Sequence, residues 1–209
     1  MIRAFEISKL RSELGGCKRV VLFGPQCSGK TTLANELSDF RYISLGSVVR
    51  SCQERSLQER ANRLIANAQP WPPELGLDFL KGDICTSFSG EGKVLLDGYP
   101  RKEDECEALT NFLRENGLPN VDAYIEVTAD RAVLLARYAL RQVRGMETRD
   151  FFELRYRQYR ELKLYLSNMA TKLITYNTTN VNEDVNLFCT KGEKWISCIA
   201  LKTPAHCKK

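Results

Sequence analysis

Short runs of apolar residues recur along the chain, and each is bounded by charged residues, glycine or proline. The run from Val20 to Phe23 is continuous and begins with two β-branched valines. A run of this kind is typical of a strand that is buried on both faces. We predict strands at residues 20–23, 41–44, 93–97, 123–127 and 172–176.

Longer amphipathic segments separate these runs. The segment from Glu103 to Asn116 has apolar positions at helical spacing, and Gly117 and Pro119 close it. Residues 47–69 are polar and compatible with helix, and the proline-rich residues 70–73 then break the chain. Further helices are predicted at residues 31–40, 74–88, 130–143 and 151–169. Strands that alternate with helices predict an α/β fold around a parallel sheet.

The composition is that of an ordinary globular domain, with 209 residues, 43% hydrophobic residues and 27% charged residues. It argues against a disordered or fibrous protein. No apolar run approaches the roughly 20 residues that a membrane helix needs. Glu6 and Glu13 interrupt the N-terminal segment, where a signal peptide would be apolar. We therefore expect a cytoplasmic protein that does not bind membranes.

The net charge of +5, from 31 basic and 26 acidic residues, is too small to indicate a nucleic-acid partner, and we expect none. The chain has one histidine, His206, and its eight cysteines form no C-x-x-C spacing, so a zinc site is poorly supported. We expect the cysteines to be reduced and most of them to be small core residues. They are Cys17, Cys27, Cys52, Cys85, Cys106, Cys189, Cys198 and Cys207.

A glycine-rich loop follows the first predicted strand, and its sequence matches G-x-x-x-x-G-K-[ST]. Glycines let the backbone N–H groups of such a loop turn toward phosphates, and the helix that follows adds its positive dipole end. The lysine, Lys30, reaches the β and γ phosphates, and a following hydroxyl binds Mg²⁺. The predicted nucleotide-binding residues of the loop are Gly24, Pro25, Gln26, Cys27, Ser28, Gly29, Lys30, Thr31 and Thr32.

Asp97 ends the predicted strand at residues 93–97. A carboxylate at the end of a strand beside the phosphate loop can face the metal ion. Alternatively, Asp97 is an ordinary turn residue. The residues that follow it favour the metal.

Three further segments resemble motifs of the adenylate kinase-type nucleoside monophosphate kinases. Residues 43–50 resemble their I-S-x-G-D-x-x-R, and residues 96–101 resemble their D-G-[FY]-P-R. Arg137-x-x-x-Arg141, followed by Arg149-Asp150, resembles the arginine pairs that flank their lid. The segments occur in family order, so the chain resembles this family, in its short-lid form, over residues 18–176.

The resemblance implies a single kinase-like domain over residues 1–209, with the three-layer fold of P-loop NTPases around a central parallel sheet. A small insertion at residues 44–73 would bind the acceptor monophosphate, and a short lid at residues 141–149 would close over the phosphates. The implied core comprises residues 18–43, 74–140 and 150–200, and residues 201–209 form a basic tail.

The resemblance implies an ATP-dependent enzyme that transfers the γ-phosphoryl group of ATP to a nucleoside monophosphate, with ATP and Mg²⁺ as cofactors. We expect it to be a monomer. The transition state of such a transfer spreads negative charge, so catalysis depends on positioning and charge stabilisation more than on an acid or base. Arginine suits this task because its guanidinium binds phosphate through two parallel hydrogen bonds and stays protonated.

Each arginine receives its role from the resemblance. Arg50 and Arg101 would hold the acceptor α-phosphate, and Arg137 would lie against the ATP base. Arg141 and Arg149 would bridge the transferring phosphate. These assignments place the positive charge of the chain around phosphates.

One more arginine is expected from the helix after the lid. The spacing is shorter than in the family, which leaves Arg155 and Arg157 as candidates, and we name Arg155 first. The predicted catalytic residues are Lys30, Arg101, Arg141, Arg149 and Arg155. The predicted substrate-binding residues are Ser44, Leu45, Arg50, Gly98, Arg101 and Glu105, and the predicted metal ligands are Thr31 and Asp97.

The chain departs from the family at several positions. Two threonines follow the loop lysine, and the pattern does not decide whether Thr31 or Thr32 meets the metal. Cys27 stands where a glycine is usual, so it is either a reactive thiol that oxidation would switch off or an inert small side chain. Ser47 and Phe151 replace two aspartates that could orient arginines. These changes put the efficiency of the enzyme in doubt more than its reaction.

The acceptor base is predicted from Glu105, which stands where adenylate kinases carry a glutamine that recognises adenine. A carboxylate only accepts hydrogen bonds, so it suits guanine or cytosine better than adenine. A one-residue slip would place Glu103 or Asp104 there instead, and Glu105 would then be a solvated helix residue. Leu45 replaces a threonine that often touches adenine.

Two other functions stay open from the sequence. One is a nucleotide-binding pseudokinase that serves as an adaptor, which the changes at Cys27, Ser47 and Phe151 motivate. The other is a P-loop kinase that acts on a different small acceptor. Turnover with a nucleoside monophosphate separates both from the kinase named above.

Overall fold

The computed structural model describes residues 4–66, 71–142 and 149–179. Five parallel strands form one sheet in the order β2-β3-β1-β4-β5. They are β1 (Arg19–Phe23), β2 (Phe40–Ser44), β3 (Lys93–Asp97), β4 (Ala123–Thr128) and β5 (Leu173–Asn177). Each of the five predicted strands is confirmed to within two residues at either end.

Eight helices lie among these strands in the described part of the chain. They are α1 (Ala4–Leu14), α2 (Lys30–Glu36), α3 (Leu45–Ser51), α4 (Arg55–Ala66), α5 (Pro73–Phe88), α6 (Glu103–Glu115), α7 (Arg131–Gln142) and α8 (Arg149–Met169). The predicted helices at 74–88, 103–116, 130–143 and 151–169 are matched by α5 to α8. The predicted lid residues 143–148, core residues 180–200 and the tail at 201–209 lie outside the described residues.

Two predicted helices differ from the structure. The helix predicted at residues 31–40 ends at Glu36, because Leu37 leaves helical geometry and Phe40 already begins β2. The helical stretch predicted at 47–69 is two helices, α3 and α4, since the backbone at Cys52 is extended. The pattern of polar and charged residues in this stretch does not show where the first helix ends and the second begins.

Helix α1 was not predicted from the sequence. Its side chains Ile7, Leu10 and Leu14 are buried in the core on one face of the sheet. Arg11 ties this helix to the turn before β2, because it donates to the Glu36 carbonyl at 3.0 Å and pairs with Asp39 at 2.7 Å. The folded unit therefore begins before residue 18, where the family resemblance begins.

The sheet carries helices on both faces, and this confirms the predicted three-layer fold. Val20 and Leu22 of β1 pack with α1 and α2 on one face, whereas Val21 packs with α5 and α6 on the other. All strands run parallel, so their carboxyl ends meet at one edge. This edge is where ligands bind in such sheets. No helix in the described ranges is long and apolar enough to cross a membrane.

Candidate active site

A cavity of about 660 Å³ opens at the carboxyl ends of the strands. Fourteen predicted site residues line it, and they are Gln26, Cys27, Ser28, Gly29, Lys30, Thr31, Thr32, Ser44, Arg50, Asp97, Gly98, Arg101, Arg137 and Arg155. Gly46 and Thr178 also line it and were not predicted. The predicted residues Gly24, Pro25, Leu45, Glu105 and Arg149 do not line it. The structure thus gathers residues from distant motifs around one space.

The glycine-rich loop curls around the ammonium group of Lys30, which donates to the carbonyls of Gly24 at 3.0 Å and Pro25 at 2.8 Å. A side chain at Gly24 would collide with the Val127 carbonyl, so only glycine fits there. Gly24 and Pro25 therefore shape the loop from behind the cavity wall. Cys27 has a φ of 62°, a left-handed conformation that is uncommon for a residue other than glycine.

Thr178 connects this loop to the rest of the cavity. Its hydroxyl donates to the Ser28 carbonyl at 2.8 Å and accepts from Arg137 at 2.9 Å. Arg137 also donates to the Thr178 carbonyl at 2.8 Å and to the Cys27 carbonyl at 3.3 Å. Thr178 directly follows β5. Ligands bind at the carboxyl ends of parallel strands, so this position was the signal in the sequence that could have identified Thr178 as a site residue.

Asp97 lies beside the loop at the end of β3, with 7% of its surface exposed. Its Oδ2 atom accepts a hydrogen bond from the Tyr42 hydroxyl at 2.6 Å. Its Oδ1 atom is buried and has no hydrogen-bond partner among the described residues. Burial, and then the charge of Asp97, raise the pKa of Tyr42 to about 12, although hydrogen bonds with Thr31 and Ser44 lower it.

The donor set around Asp97 fits a hard divalent cation, which prefers oxygen ligands. The Asp97 carboxylate has an oxygen without a partner, and Thr31 lines the same cavity. Within the described residues no group of three or more His, Cys, Asp or Glu side chains could hold a metal alone. A cation here would therefore depend on further oxygens from a bound phosphate.

Arg101 also lines the cavity, and the Glu105 carboxylate contacts its backbone. Burial lowers the pKa of the Arg101 guanidinium, while the charges of Glu105 and Asp97 raise it. The Glu105 carboxylate accepts from the backbone N–H of Arg101 at 2.6 Å, and burial raises the pKa of Glu105. Glu105 is 7% exposed and does not reach the cavity, and neither do Glu103 and Asp104. Its carboxylate anchors the start of α6, close to Arg101.

Arg50 approaches the cavity from α3. Its guanidinium donates to the Ser47 hydroxyl at 3.2 Å, so the serine that replaces an aspartate still contacts the arginine. Leu45 is buried beneath Gly98. The Leu45 Cβ atom lies 3.6 Å from the point that a Cβ atom on Gly98 would occupy. It supports the cavity without lining it.

The structure separates the two candidates on α8. Arg155 lines the cavity, whereas Arg157 lines a different groove together with Arg131. The Arg155 guanidinium donates to Gln158 at 3.0 Å and lies 5.2 Å from the centre of the Phe151 ring. Phe151 thus orients an arginine through its ring where a carboxylate was expected.

Two further arginines, Arg141 and Arg149, were predicted at the lid. Arg149 is exposed at the start of α8, and the Arg141 side chain lies outside the described residues.

For the described part of the chain, the prediction that most cysteines are core residues is confirmed in part, because Cys106 belongs to a core cluster and Cys17, Cys27 and Cys52 pack against such clusters. Five cysteines are described there, all as free thiols, and only Cys106 is buried. Cys17, Cys52 and Cys85 are partly exposed, and Cys27 lines the cavity. The other three cysteines and His206 lie outside the described residues.

A family profile described as an AAA domain matches residues 23–155, from the end of β1 to Arg155. The chain belongs to this family. Curated relatives of the chain are adenylate kinases, which confirms the resemblance to the adenylate kinase-type nucleoside monophosphate kinases. The matched residues contain most of the cavity, and Thr178 lies beyond them.

Three relatives show the extent of this similarity. The adenylate kinase of Rhizobium meliloti is 29% identical over 191 residues, which cover 84% of this chain and 98% of the relative. The adenylate kinase of Salinibacter ruber is 32% identical over 130 residues, or 60% of each chain. The adenylate kinase of Chloroherpeton thalassium is 30% identical over 130 residues, or 60% of this chain and 59% of the relative. The chain thus spans about three fifths of the length of the last two relatives.

Proposed function

We propose that this protein transfers the γ-phosphoryl group of ATP to a nucleoside monophosphate and releases ADP and a nucleoside diphosphate. The observation that carries the proposal is one cavity that joins a phosphate loop to four arginines. Lys30 lines it together with Arg50, Arg101, Arg137 and Arg155. Two anions can therefore face each other across a short distance, as an in-line transfer requires.

On the ATP side, the loop from Gln26 to Lys30 binds the phosphates through its backbone N–H groups and the lysine ammonium. Arg137, held at Thr178, lies against the base. Thr31 and Asp97, with Thr32 in the same cavity, would hold Mg²⁺, which would supply positive charge beside the phosphates.

On the acceptor side, Ser44, Arg50, Gly98 and Arg101 hold the monophosphate, and residues 44–73 form its binding region. Arg101 is the central residue because its guanidinium is partly withdrawn from water, where its charge acts most strongly. Residues 141–149 form the lid.

Catalysis in this proposal is electrostatic. Arg101 and Arg155 stabilise the transferring phosphoryl group, Lys30 orients it, and Arg141 and Arg149 would join them only when the proposed lid closes. No histidine or carboxylate is needed to move a proton at the start, because the acceptor phosphate is already an anion.

The acceptor base is the least constrained part of the proposal. The Glu105 carboxylate is engaged by the Arg101 backbone, which supports a role in anchoring Arg101. Its proposed recognition of guanine or cytosine would require this contact to open. Steady-state assays with AMP, GMP, CMP, UMP and dTMP decide the matter. A clear preference for AMP that Glu105→Gln leaves unchanged would exclude base recognition by Glu105.

The central test is Lys30→Met, measured by ADP formation with the best acceptor. Loss of the ammonium from the phosphates should lower kcat by at least about 10³-fold, with the melting temperature unchanged. Lys93→Met is the matched control, because Lys93 pairs with Asp39 at the opposite end of β3. Activity retained in Lys30→Met contradicts the proposal. Tight binding of a bisubstrate dinucleotide by the wild type, without turnover of any monophosphate, favours an adaptor instead.

A further inference from the structure

Gln158 lies one helical turn after Arg155 on α8, and no motif in the sequence identifies it. The Arg155 guanidinium donates to the Gln158 Oε1 atom at 3.0 Å. We propose that Gln158 is a positioning residue that holds Arg155 in the orientation needed to stabilise the transferring phosphoryl group. The inference rests on the proposed phosphoryl transfer in this cavity and on the role that it gives to Arg155.

Gln158 does not itself line the cavity in which the phosphates are proposed to bind. It lines a separate, smaller cavity of about 60 Å³, together with Gly24 and Lys30 of the phosphate loop. Arg155 lines both spaces. Gln158 thus contacts Arg155 without bordering the proposed substrate site, so its role is to position Arg155 and not to touch the reacting atoms.

The spacing along α8 brings three side chains together. Phe151, Arg155 and Gln158 occupy successive turns of one helix face, because residues three or four apart are neighbours on a helix. Side chains lean toward the N-terminus of their helix, so Gln158 reaches back to Arg155. The Phe151 ring lies 5.2 Å from the Arg155 guanidinium. The guanidinium is therefore contacted from both the preceding and the following turn.

The core fixes the part of α8 that carries Gln158. The next residue, Tyr159, is buried, and its hydroxyl donates to the Glu126 carboxylate. Leu162, one turn further along, is buried in the same core cluster as Phe23 of β1. Gln158 therefore extends from a segment that is anchored on the sheet, which lets it act as a fixed support for a long, flexible arginine.

A glutamine suits this task chemically. Arginine only donates hydrogen bonds, so the Gln158 atom that faces it is the amide oxygen. Because this oxygen is neutral, the bond orients the guanidinium without cancelling the charge that the transition state uses. Arginine has several N–H donors, so one can bond to Gln158 while others meet a phosphate. An arginine that is held in advance also loses less conformational freedom in the transition state.

The test is a double-mutant cycle of Gln158→Leu and Arg155→Met in the full-length protein. Gln158→Leu alone should lower kcat about tenfold and change the KM values for ATP and the acceptor less than about twofold, because the oriented guanidinium acts in the transition state. In the Arg155→Met background, the same change should have no further effect on kcat, since Gln158 then has no guanidinium to orient. A structural role alone would lower kcat equally in both backgrounds.

Asn111→Leu is the matched control. The Asn111 side-chain oxygen on α6 accepts from Arg114 at 2.8 Å, so this exposed pair repeats the arginine–amide contact at three-residue spacing. Neither residue lines the cavity, and the kcat of Asn111→Leu should equal that of the wild type. Gln158→Ala repeats the measurement with a smaller side chain, so that a poorly accommodated leucine does not decide the result.

An unchanged kcat in both Gln158 variants overturns the inference, and so does an equal loss of kcat with and without Arg155. If the wild type binds a bisubstrate dinucleotide but turns over no monophosphate, the proposed function fails, and the cycle is measured in dissociation constants instead. Gln158→Leu should then weaken binding about tenfold where Arg155 is present and not at all where it is absent. If the wild type does not bind the dinucleotide, the function and the inference both fail.

Discussion

Two carboxylates flank the central strand β1, one residue apart in register, so that their side chains lie on opposite faces of the sheet. Asp97 of β3 pairs in register with Leu22, and Glu126 of β4 pairs with Phe23. Each accepts a hydrogen bond from a tyrosine hydroxyl, Tyr42 for Asp97 and Tyr159 for Glu126. The surroundings of the two differ, above all in whether every oxygen has a partner.

Glu126 is fully buried, and both of its oxygens are satisfied. Lys163 pairs with Oε1 at 2.8 Å, and the Thr175 hydroxyl donates to Oε2 at 2.8 Å. Burial raises the pKa of Glu126, but hydrogen bonds from Lys163, Tyr159 and Thr175 outweigh it and hold the pKa below its usual value. Such a closed network stabilises the fold, because each polar group has exchanged water for a partner.

Asp97 has one oxygen without a partner and faces the cavity. An unsatisfied carboxylate oxygen costs the fold stability, so a role in binding explains Asp97 better than a role in stability. The comparison shows how one pairing of tyrosine and carboxylate serves stability at one position and binding at the other. Substitutions at the two positions should therefore affect different properties.

Within this comparison, the largest effect is expected from Asp97→Asn. This change removes the charge that faces the cation, so kcat should fall on the order of 100-fold at fixed Mg²⁺. Thermal unfolding should occur at the same or a higher temperature, because an amide costs less to bury than an unpaired carboxylate. Nucleoside diphosphate formation and calorimetry measure the two effects. A large loss of stability would mean that Asp97, like Glu126, stabilises the fold, and would contradict the comparison.

A smaller effect, on stability, is expected from Glu126→Gln. The amide keeps some hydrogen bonds but loses the charge that pairs with Lys163, so the free energy of unfolding should fall by about 1–2 kcal/mol at neutral pH. Because the folded state lowers the pKa of Glu126, its contribution is complete above the unfolded pKa and is lost as the pH falls through the folded pKa. Urea unfolding at neutral pH and near pH 3 measures this, and the difference between the variants should shrink in acid.

Glu153→Gln is the matched control for Glu126→Gln. Glu153 pairs with Arg131 at 2.6 Å, but the pair is partly exposed, so its loss should cost less than about 0.5 kcal/mol of unfolding free energy.

The turnover of Glu126→Gln should be nearly the same as that of the wild type. A loss of turnover without loss of stability would mean that Glu126 acts in the cavity.

The smallest effect is expected from Thr178→Val, which preserves shape but removes the hydroxyl. Arg137 and the Ser28 carbonyl each lose one partner, so the KM for ATP should rise about threefold to tenfold with little change in kcat. Thr175→Val in β5 is the matched control. The Thr175 hydroxyl donates to Glu126, so its loss should lower stability without changing the KM for ATP. Steady-state kinetics over a range of ATP concentrations compares the two. An equal rise in KM for both variants would mean that the hydrogen bonds around Thr178 and those around Glu126 do not have separate roles.

The strands and the cavity motifs were predictable because their causes are local. Apolar runs identify buried strands, and the loop from Gly24 to Thr31 requires particular residues at fixed spacing. The loop, Asp97 and most of the arginines consequently appear together in the cavity as expected. The end of α2 was placed too late, because nothing in the local pattern shows that Leu37 turns the chain toward β2.

Other residues depend on partners that are distant in sequence. Thr178 bonds to a carbonyl 150 residues earlier, and Tyr42 bonds to a carboxylate 55 residues later. Glu105 fits a motif position for base recognition, yet the fold directs it to the Arg101 backbone. For α1, burial of its apolar side chains on the sheet supplies most of the stability, as packing does for most short helices.

The sequence by itself determined the fold class, the family motifs and the kinds of group that meet phosphate, because these depend on local hydrophobicity, backbone freedom and charge. Only the tertiary structure decided which polar atoms are satisfied. It separated Arg155 from Arg157 and left Asp97 with one free oxygen while closing the network around Glu126. The physical reason is that hydrogen bonding and burial belong to the assembled neighbourhood of an atom, which the packing of distant segments creates.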